Sequence, residues 1–578
     1  MPARRLLVVL AVLTAAAGCT ADDSPRKVDP PRAGAAGANA AAGGLAREGW
    51  YGGADGLHAR VEIRALERRG AQTVLRYAVT SLDTAAKSVP FAVSLLDPVG
   101  RRLYRPIAAS TSPAPPVPGA PATPGVPGAP GAPGAPTTPA VPGATTPGSP
   151  GAPLTARAER VAHAAPTSSG STSSSPSSTP SATSSAGSSR TPSPSPSPSG
   201  TPTPTPPVPS PAVEQFAPGV TRELAAGFPA LPATAQKLTV LVNGTAGEFT
   251  GVPVTGTAAA AGTAATPGNP VDLYDVTEGA TRDVIAGNTD VKVNLRADAL
   301  FDKGTAKPSG RAKELLDQAA QELRQKADPA RGPITISGHT DSEGADAANL
   351  KLSGDRAKTV EKELKARLGG SYTYTAQGRG EAELIAKEGG TGDAAARSRN
   401  RRVEIAYNVR QPATGTGTAS PAAPASPAAA SGRPAEFRAE DGATVASRSA
   451  SFAGAKRRID VKPFYRDGAY LVAVFDIVNQ GPGTIPPDAV YPHEDYLGGA
   501  FTAFSVRVKG GTDVYRAVRV GPPAANSATY VDPGRGTFRT AVNAPARGFV
   551  YLPAPPGNVT SVVFDAGPFG KIDAVPVS

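Results

Sequence analysis

Residues 334–368 read ITISGHTDSEGADAANLKLSGDRAKTVEKELKARL, and this stretch decides how the middle of the chain folds. Ile334 and Ile336 alternate with polar neighbours up to Gly338, the period of a strand with one buried face. After a loop carrying His339, Thr340, Asp341 and Gly344 the period changes. Leu350, Ala357, Val360, Leu364 and Leu368 recur at helical spacing and form the expected buried face of a helix. Asp341 therefore follows the carboxyl end of a strand and Arg356 lies on the next helix, so the loop between them can fold back and bring the two together. Asn349, Ser353 and Arg356 are spaced by four and three and share one helix face directed toward that loop.

Upstream, Val291, Val293 and Leu295 alternate as a strand, and Ala312, Leu315, Leu316, Ala319, Leu323 and Ala327 follow at helical spacing, with Ser309 available as a cap. Downstream, a third strand is expected from Tyr372 to Ala376 and a last one from Arg402 to Ala406, ending near Val409. The order strand, helix, strand, helix, strand, strand over 291–409 predicts an α/β sandwich with the helices on one sheet face.

The residues Gly338-His339-Thr340-Asp341, Gly344, Asn349, Leu352-Ser353, Arg356-Ala357, Val360, Gly378, Gly380-Glu381 and Arg399-Asn400-Arg401-Arg402-Val403-Glu404 stand in one order and spacing. In this the segment resembles the OmpA C-terminal family, which includes the peptidoglycan-associated lipoprotein and the wall-anchoring part of flagellar stator proteins. The resemblance is limited to residues 291–409. It implies non-covalent binding of the diaminopimelate residue of a peptidoglycan stem peptide, with Asp341 on the ammonium and Arg356 on the carboxylate. It also implies that Asn349 and Asp302, the latter in Phe301-Asp302 after the first strand, line the pocket.

The chemistry supports that pairing of residue types. The free end of diaminopimelate carries an ammonium and a carboxylate on one carbon, and a receptor for it needs one acid and one base a few ångströms apart. Arginine suits the basic position because its planar fork meets a carboxylate bidentately, which lysine cannot do. Blander roles stand beside these. Asp341 and Arg356 can simply pair with each other, Asn349 can cap a turn, and Asp302 can be a plain loop residue. The Arg399 to Arg402 cluster reads as a lock on the last strand, and His339 as a packed or loop histidine.

The N-terminus carries a different signal. Arg4 and Arg5 precede an apolar run from Leu6 to Leu13, and Ala16-Ala17-Gly18-Cys19 closes it with small residues before the only cysteine of the chain. Residues 1–18 read as a lipoprotein signal peptide and Cys19 as the lipid attachment site, with Ala16 departing from the leucine usual in a lipobox. The apolar run is too short to span a bilayer. Residues 19–48, rich in Ala, Gly and Pro, read as a flexible tether reaching roughly 95 Å when extended.

Two further segments are strand-rich and repeat one another. Val61, Ile63, Leu66 and Gly70 match Ile459, Val461, Phe464 and Gly468 without a gap, and Val74, Tyr77 and Val79 continue as Val472, Phe475 and Ile477. Short alternating strands with Gly and Pro turns predict two duplicated all-β immunoglobulin-like domains, over 49–268 and 434–578. The low-complexity Pro/Ser/Thr-rich run 109–213 is expected to be disordered and inserted in the first of them, since the matching stretch of the second copy is about twenty residues long. Residues 269–290 and the Ala/Pro-rich 410–433 read as linkers. The fold class is thus multidomain, a central OmpA-like α/β sandwich flanked by two β domains.

Composition bounds the function. The 64 glycines and 63 prolines exceed a fifth of the 578 residues and aromatics are 5%, so packed islands are expected between extended segments. The charge of +11 favours anionic surroundings, but no segment interleaves basic and aromatic residues as a nucleic-acid surface would. His58, His163, His339 and His493 lie in four regions without metal-ligand neighbours, so no metal or cofactor is expected. Glu343 and Asp346, close to Asp341, read as turn-shaping residues rather than as a hydrolytic carboxylate pair. The sequence therefore points to an exported, non-enzymatic lipoprotein that links membrane to peptidoglycan. Its anchor would sit on the outer face of the cytoplasmic membrane in a monoderm, or in the outer membrane of a diderm. The alternative makes the β domains the binding part, for an unknown protein partner, with the central module only an address.

Overall fold

A computed structural model describes residues 45–52, 56–107, 213–257, 270–390, 392–411, 432–452, 454–483, 493–522, 529–534 and 541–578, all within one compact unit. The signal peptide and Cys19 lie outside the described residues, as do most of the tether, the Pro/Ser/Thr-rich run and the linker 410–433. The first strand, Leu45–Tyr51, begins inside the segment expected to be tether.

The central module follows the order read from its periodicity and adds to it. Its strands are β1 (Val271–Glu278), β2 (Arg282–Ala286), β3 (Asp290–Arg296), β4 (Ile334–Gly338), β5 (Tyr374–Gly378) and β6 (Arg402–Asn408). Its helices are α1 (Ala297–Leu300), α2 (Ala312–Lys326), α3 (Asp346–Leu368) and α4 (Asp393–Asn400). The strands run β1-β2-β3-β6-β4-β5, antiparallel except for the parallel pair β4–β5. Register places Leu295 opposite Val403, Ile336 opposite Ile405 and Ile336 beside Ala376. The apolar stripes of α2 and α3 close over these residues: Leu316, Ala320 and Leu323 from one helix, Ala357, Val360 and Leu364 from the other. Burying the leucine and valine side chains stabilises by about 1.5–3 kcal/mol each, which is what fixes the helices to the sheet, while the alanines let the backbones approach.

Two details differ from expectation. Leu350 is 55% exposed, because the buried stripe of α3 runs Asn349, Ser353, Arg356 and Ala357 and leaves Leu350 turned aside. Ser309 does not cap α2; its hydroxyl donates to the Ala299 carbonyl at 2.7 Å, and Arg311 occupies the cap position without a side-chain bond.

The larger correction concerns the expected linker 269–290: Val271–Glu278 and Arg282–Ala286 within it form β1 and β2. Their strand period is obscured by Asp275, Glu278 and Asp283, all buried and all paired with arginines from elsewhere: Asp275 with Arg101 at 2.9 Å, Glu278 with Arg516 at 3.0 Å, Asp283 with Arg296 at 2.7 Å. Strand β1 also joins the module to both flanking regions. Val271 pairs with Leu103 of the first, and Leu273 and Thr277 pair with Val520 and Tyr515 of the second.

Both flanking regions are mostly antiparallel β-structure around separate cores, with one parallel pairing in the first, Val254 beside Leu66. Val61, Ile63, Leu66 and Tyr77 are buried in one, and Ile459, Val461, Phe464 and Phe475 in the other. Gly70 and Gly468 each turn a hairpin, at φ +61° and +59°, a conformation that costs a side chain-bearing residue steric strain. A further cluster holding Leu96, Leu273, Tyr470, Val472, Val518 and Tyr551 packs the two regions against each other.

Glu278 is the electrostatic joint of this assembly. It accepts bonds from Arg516 Nε at 3.0 Å, Arg399 Nη1 at 3.3 Å and the Tyr496 hydroxyl, and Arg399 lies 4.0 Å over the Tyr496 ring. Burial pushes its carboxyl up, but Arg516, Arg399 and the Tyr496 bond outweigh burial and hold it below the usual carboxylate range. Removing one member of such a buried set strands the others, so Glu278→Gln is expected to lower stability by about 3 kcal/mol in denaturant unfolding at pH 7. Because a depressed carboxyl stabilises above its unfolded value, the deficit of the variant should shrink as pH falls below about 4.

Candidate functional site

Three of the candidate residues, Asp341, Asn349 and Arg356, meet where β4 and β5 end against α3. Close approach of backbone sets this geometry. A Cβ on Gly338 would lie 2.1 Å from the Ser353 carbonyl oxygen, and one on Gly378 would lie 2.6 Å from Gly354 N and Leu350 O. Ser353, fully buried, accepts a bond from Gly380 N at 2.9 Å, and Thr340 N donates to the Gly380 carbonyl at 2.9 Å. The loop after β4 and the loop after β5 are thereby stitched to each other and to the helix that carries Arg356.

Arg356 is 4% exposed, its Nε donating to the Thr305 carbonyl at 2.9 Å and its guanidinium lying 5.4 Å from the centre of the Phe301 ring. Among the described residues no carboxylate lies within 4 Å of it. Burial lowers its pKa; Asp298 and Asp341 act against that and Arg401 with it, which puts all four charges in one electrostatic neighbourhood. Asp341 is 7% exposed and accepts a bond on Oδ2 from Arg401 Nη1 at 2.6 Å. Arg401 in turn grips Asp298 with two bonds, Nε to Oδ1 at 2.9 Å and Nη2 to Oδ2 at 2.7 Å. The hydrogen bond from Arg401 leads the causes that hold the Asp298 carboxyl below its ordinary value.

The structure therefore brings Asp341 and Arg356 to one place without pairing them. The partner of Asp341 is Arg401, a member of the cluster that the sequence assigned to locking the last strand. The four arginine-cluster residues divide by direction. Arg399 turns to Glu278, Asn400 clasps the preceding loop through Ile385 N, Ala386 N and Glu388, and Arg402 is buried beneath. Burial lowers the Arg402 guanidinium to about 10.

Asn349 is buried and ties loops together: its Nδ2 donates to the Glu343 carbonyl at 3.0 Å and to Glu381 Oε2 at 2.7 Å. Asp302 stands apart. Its half-exposed carboxylate is 3.4 Å from Lys307, and its main chain forms the turn that presents the Thr305 carbonyl to Arg356. Asp298, Arg401 and Thr305 belong to the site and were not singled out in the sequence. Only Arg401 carried a signal, as part of the Arg399 to Arg402 run. No group of His, Cys, Asp and Glu among the described residues is arranged to hold a metal ion.

Chemically the arrangement is a partly desolvated cluster of two cations and two anions. One guanidinium keeps its terminal nitrogens open, and one carboxylate keeps an oxygen free. Such a set is complementary to a small group bearing both charges.

Residues 300–401 match the OmpA family, and the chain carries an OmpA C-terminal-like domain in this segment. Outer membrane protein A of Bordetella avium is 43% identical over 117 residues, covering 20% of this chain and 56% of that protein. The chain spans about half the length of the curated relatives it matches. Among solved structures, the cell wall anchor of the T6SS from Pseudomonas aeruginosa is 31% identical, covering 22% of this chain and 88% of that one, with a TM-score of 0.20. The peptidoglycan-associated lipoprotein from Burkholderia pseudomallei is 28% identical over 19% of this chain and 87% of that one, at a TM-score of 0.17.

Directly behind the site, His339 is 1% exposed with neither ring nitrogen hydrogen-bonded among the described residues. Burial, with the like charges of Arg402, Arg379 and Lys292, pushes its pKa from 6.5 to about 3. Between those values the unfolded chain binds a proton that the folded chain does not, so stability falls as pH drops below about 6.5, by up to about 1.4 kcal/mol per pH unit. Replacing it with an apolar residue of similar volume removes this contribution. In denaturant titrations at pH 7.5 and 5, His339→Met should lose less stability than the wild type over that interval.

Proposed function

We propose that this protein is a non-enzymatic envelope protein that binds peptidoglycan through the zwitterionic end of diaminopimelate. The observation that carries this reading is the buried Arg356 guanidinium, unpaired with any described carboxylate and adjacent to Asp341. In this reading the ligand carboxylate lies on the two terminal nitrogens of Arg356 and the ligand ammonium on the free oxygen of Asp341. Asn349 shapes the loop that holds Asp341, and Asp302 shapes the turn that holds Arg356. Each charge-assisted contact contributes roughly 1.5–3 kcal/mol, less where water reaches it. One small site is therefore weak, and retention comes from many repeated wall ligands near a tethered receptor.

The rest of the chain fits an anchor. A lipid on Cys19 would hold the N-terminus in a membrane while the central domain grips the wall. The two flanking β regions are, in this reading, duplicated immunoglobulin-like domains. Their support is the equivalent burial of Val61, Ile63 and Leu66 with Ile459, Val461 and Phe464, and the matched glycine turns. The resemblance to OmpA-type domains, whose relatives include a cell wall anchor and a peptidoglycan-associated lipoprotein by name, agrees with the wall as ligand.

A pulldown of the full chain on purified sacculi tests the reading. Asp341→Ala and Arg356→Ala should each reduce retention at least about tenfold, the equivalent of one charge-assisted contact. Sacculi labelled with a releasable dye should stay intact. Undiminished retention of both variants would move wall binding, and the function with it, to the flanking β regions.

A further inference from the structure

Arg401 makes more contacts with acids than a strand lock requires. Two of its three nitrogens bond both oxygens of Asp298, at 2.9 and 2.7 Å, and the third bonds Asp341 Oδ2 at 2.6 Å. Both Asp298 and Arg401 are fixed by main chain as well. Asp298 lies on α1, directly after β3, and Ala297 N donates to the Arg401 carbonyl at 2.8 Å, so the ends of β3 and β6 set the pair side by side. Asp341, by contrast, sits on a loop. Among the described residues Arg401 is the only group that holds its carboxylate, and Oδ1 takes no hydrogen bond there.

We propose that Arg401, anchored by Asp298, is a positioning residue that sets the preference of the site for an amine: it holds Asp341 by one oxygen and leaves the other as the acceptor for the ligand ammonium. The inference rests on the reading that the site takes the zwitterionic end of diaminopimelate, and it names what selects the ammonium within that reading. Three geometric facts support it. Arg401 spends Nε and Nη2 on the two oxygens of Asp298 and reaches Asp341 only through Nη1 on Oδ2, so its contact with Asp341 is one-pronged. The four side chains Asp298, Asp341, Arg356 and Arg401 sum to zero formal charge, so a ligand carrying one charge of each sign enters without leaving the pocket unbalanced. Arg356, the fourth member, is occupied only at Nε, on the Thr305 carbonyl at 2.9 Å, which leaves its outer nitrogens for the other end of the ligand.

Two substitutions disturb this arrangement in opposite ways and converge on one outcome. Asp298→Asn keeps the volume but releases Arg401, which then turns its fork onto both oxygens of Asp341. Arg401→Lys places a mobile ammonium where the ligand ammonium should go, because one amine cannot span two carboxylates. In both variants Asp341 is neutralised from within, and the amine of the ligand loses its acceptor.

The test titrates the full chain with meso-diaminopimelate and with pimelate, the same diacid lacking both amines, for the wild type, Asp298→Asn and Arg401→Lys. The quantity read is the ratio of the two affinities, which is internal to each variant and independent of how much of the sample is folded. The wild type should prefer diaminopimelate, and the preference should drop about tenfold in both variants. If both variants keep the wild-type ratio, whether or not they bind more weakly overall, Arg401 is a structural lock and the proposal fails while the functional reading stands. If the wild type binds neither ligand, or binds them equally, the functional reading itself fails and takes this inference with it.

Discussion

A guanidinium taken out of water has to be compensated, and Arg356 is compensated only in part. It has one main-chain acceptor, an aromatic face beneath it and two carboxylates within electrostatic reach, yet among the described residues no acid in contact. Folding alone does not favour such a state, since a paired arginine or an apolar side chain would be more stable there. The surrounding structure over-determines it. Arg401 absorbs both nearby acids, Asp298 and Asp341, and so keeps Asp341 from closing onto Arg356. In the proposed reading, this open cation beside a half-occupied acid is what makes the cluster a receptor rather than an internal salt bridge.

The backbone that supports this arrangement is unusually close-packed. Gly338 and Gly378 bring two strand ends onto α3 at distances that exclude any side chain, and Ser353 fills the remaining space with a hydroxyl that is itself hydrogen-bonded. Asn349 and Asn400 then clasp the loops on either side, each through a side-chain amide reaching main-chain groups and a glutamate. The module is also held from outside. Arg399, two residues before Arg401, reaches Glu278 on β1 and Tyr496 beyond it, so helix α4 is braced by the flanking β region on one side and borders the site on the other. In the proposed reading, binding and bracing share one short segment, 399–402.

Much of this was legible in the sequence wherever period and burial agree. The strands β3, β4 and β6 and the helix α2 carry uninterrupted apolar stripes and could be placed within a residue or two, and α3 is legible from Ala357 onward. Asn349, Ser353 and Arg356 share a buried face, as their spacing indicates. What could not be read depends on partners distant in sequence. Asp275, Glu278 and Asp283 make β1 and β2 look solvated, because the arginines that neutralise them come from positions 101, 516 and 296. Leu350 joins the apolar pattern on paper, but the stripe is decided by Ser353 and its neighbours, which pack against glycine. Arg401 and Arg402 are adjacent and chemically identical in sequence; one turns to the site and the other into the interior beside Glu383, and only the three-dimensional placement of Asp298 tells them apart.

The most direct measurement is a crystal structure of the protein soaked with meso-diaminopimelate. The account predicts one ligand end with its carboxylate spanning the terminal nitrogens of Arg356 and its ammonium within hydrogen-bond distance of Asp341 Oδ1, with the contacts of Arg401 to Asp298 retained. A ligand bound through Arg401 instead, or an Arg356 that swings to pair with Asp341 and leaves the pocket shut, would contradict it.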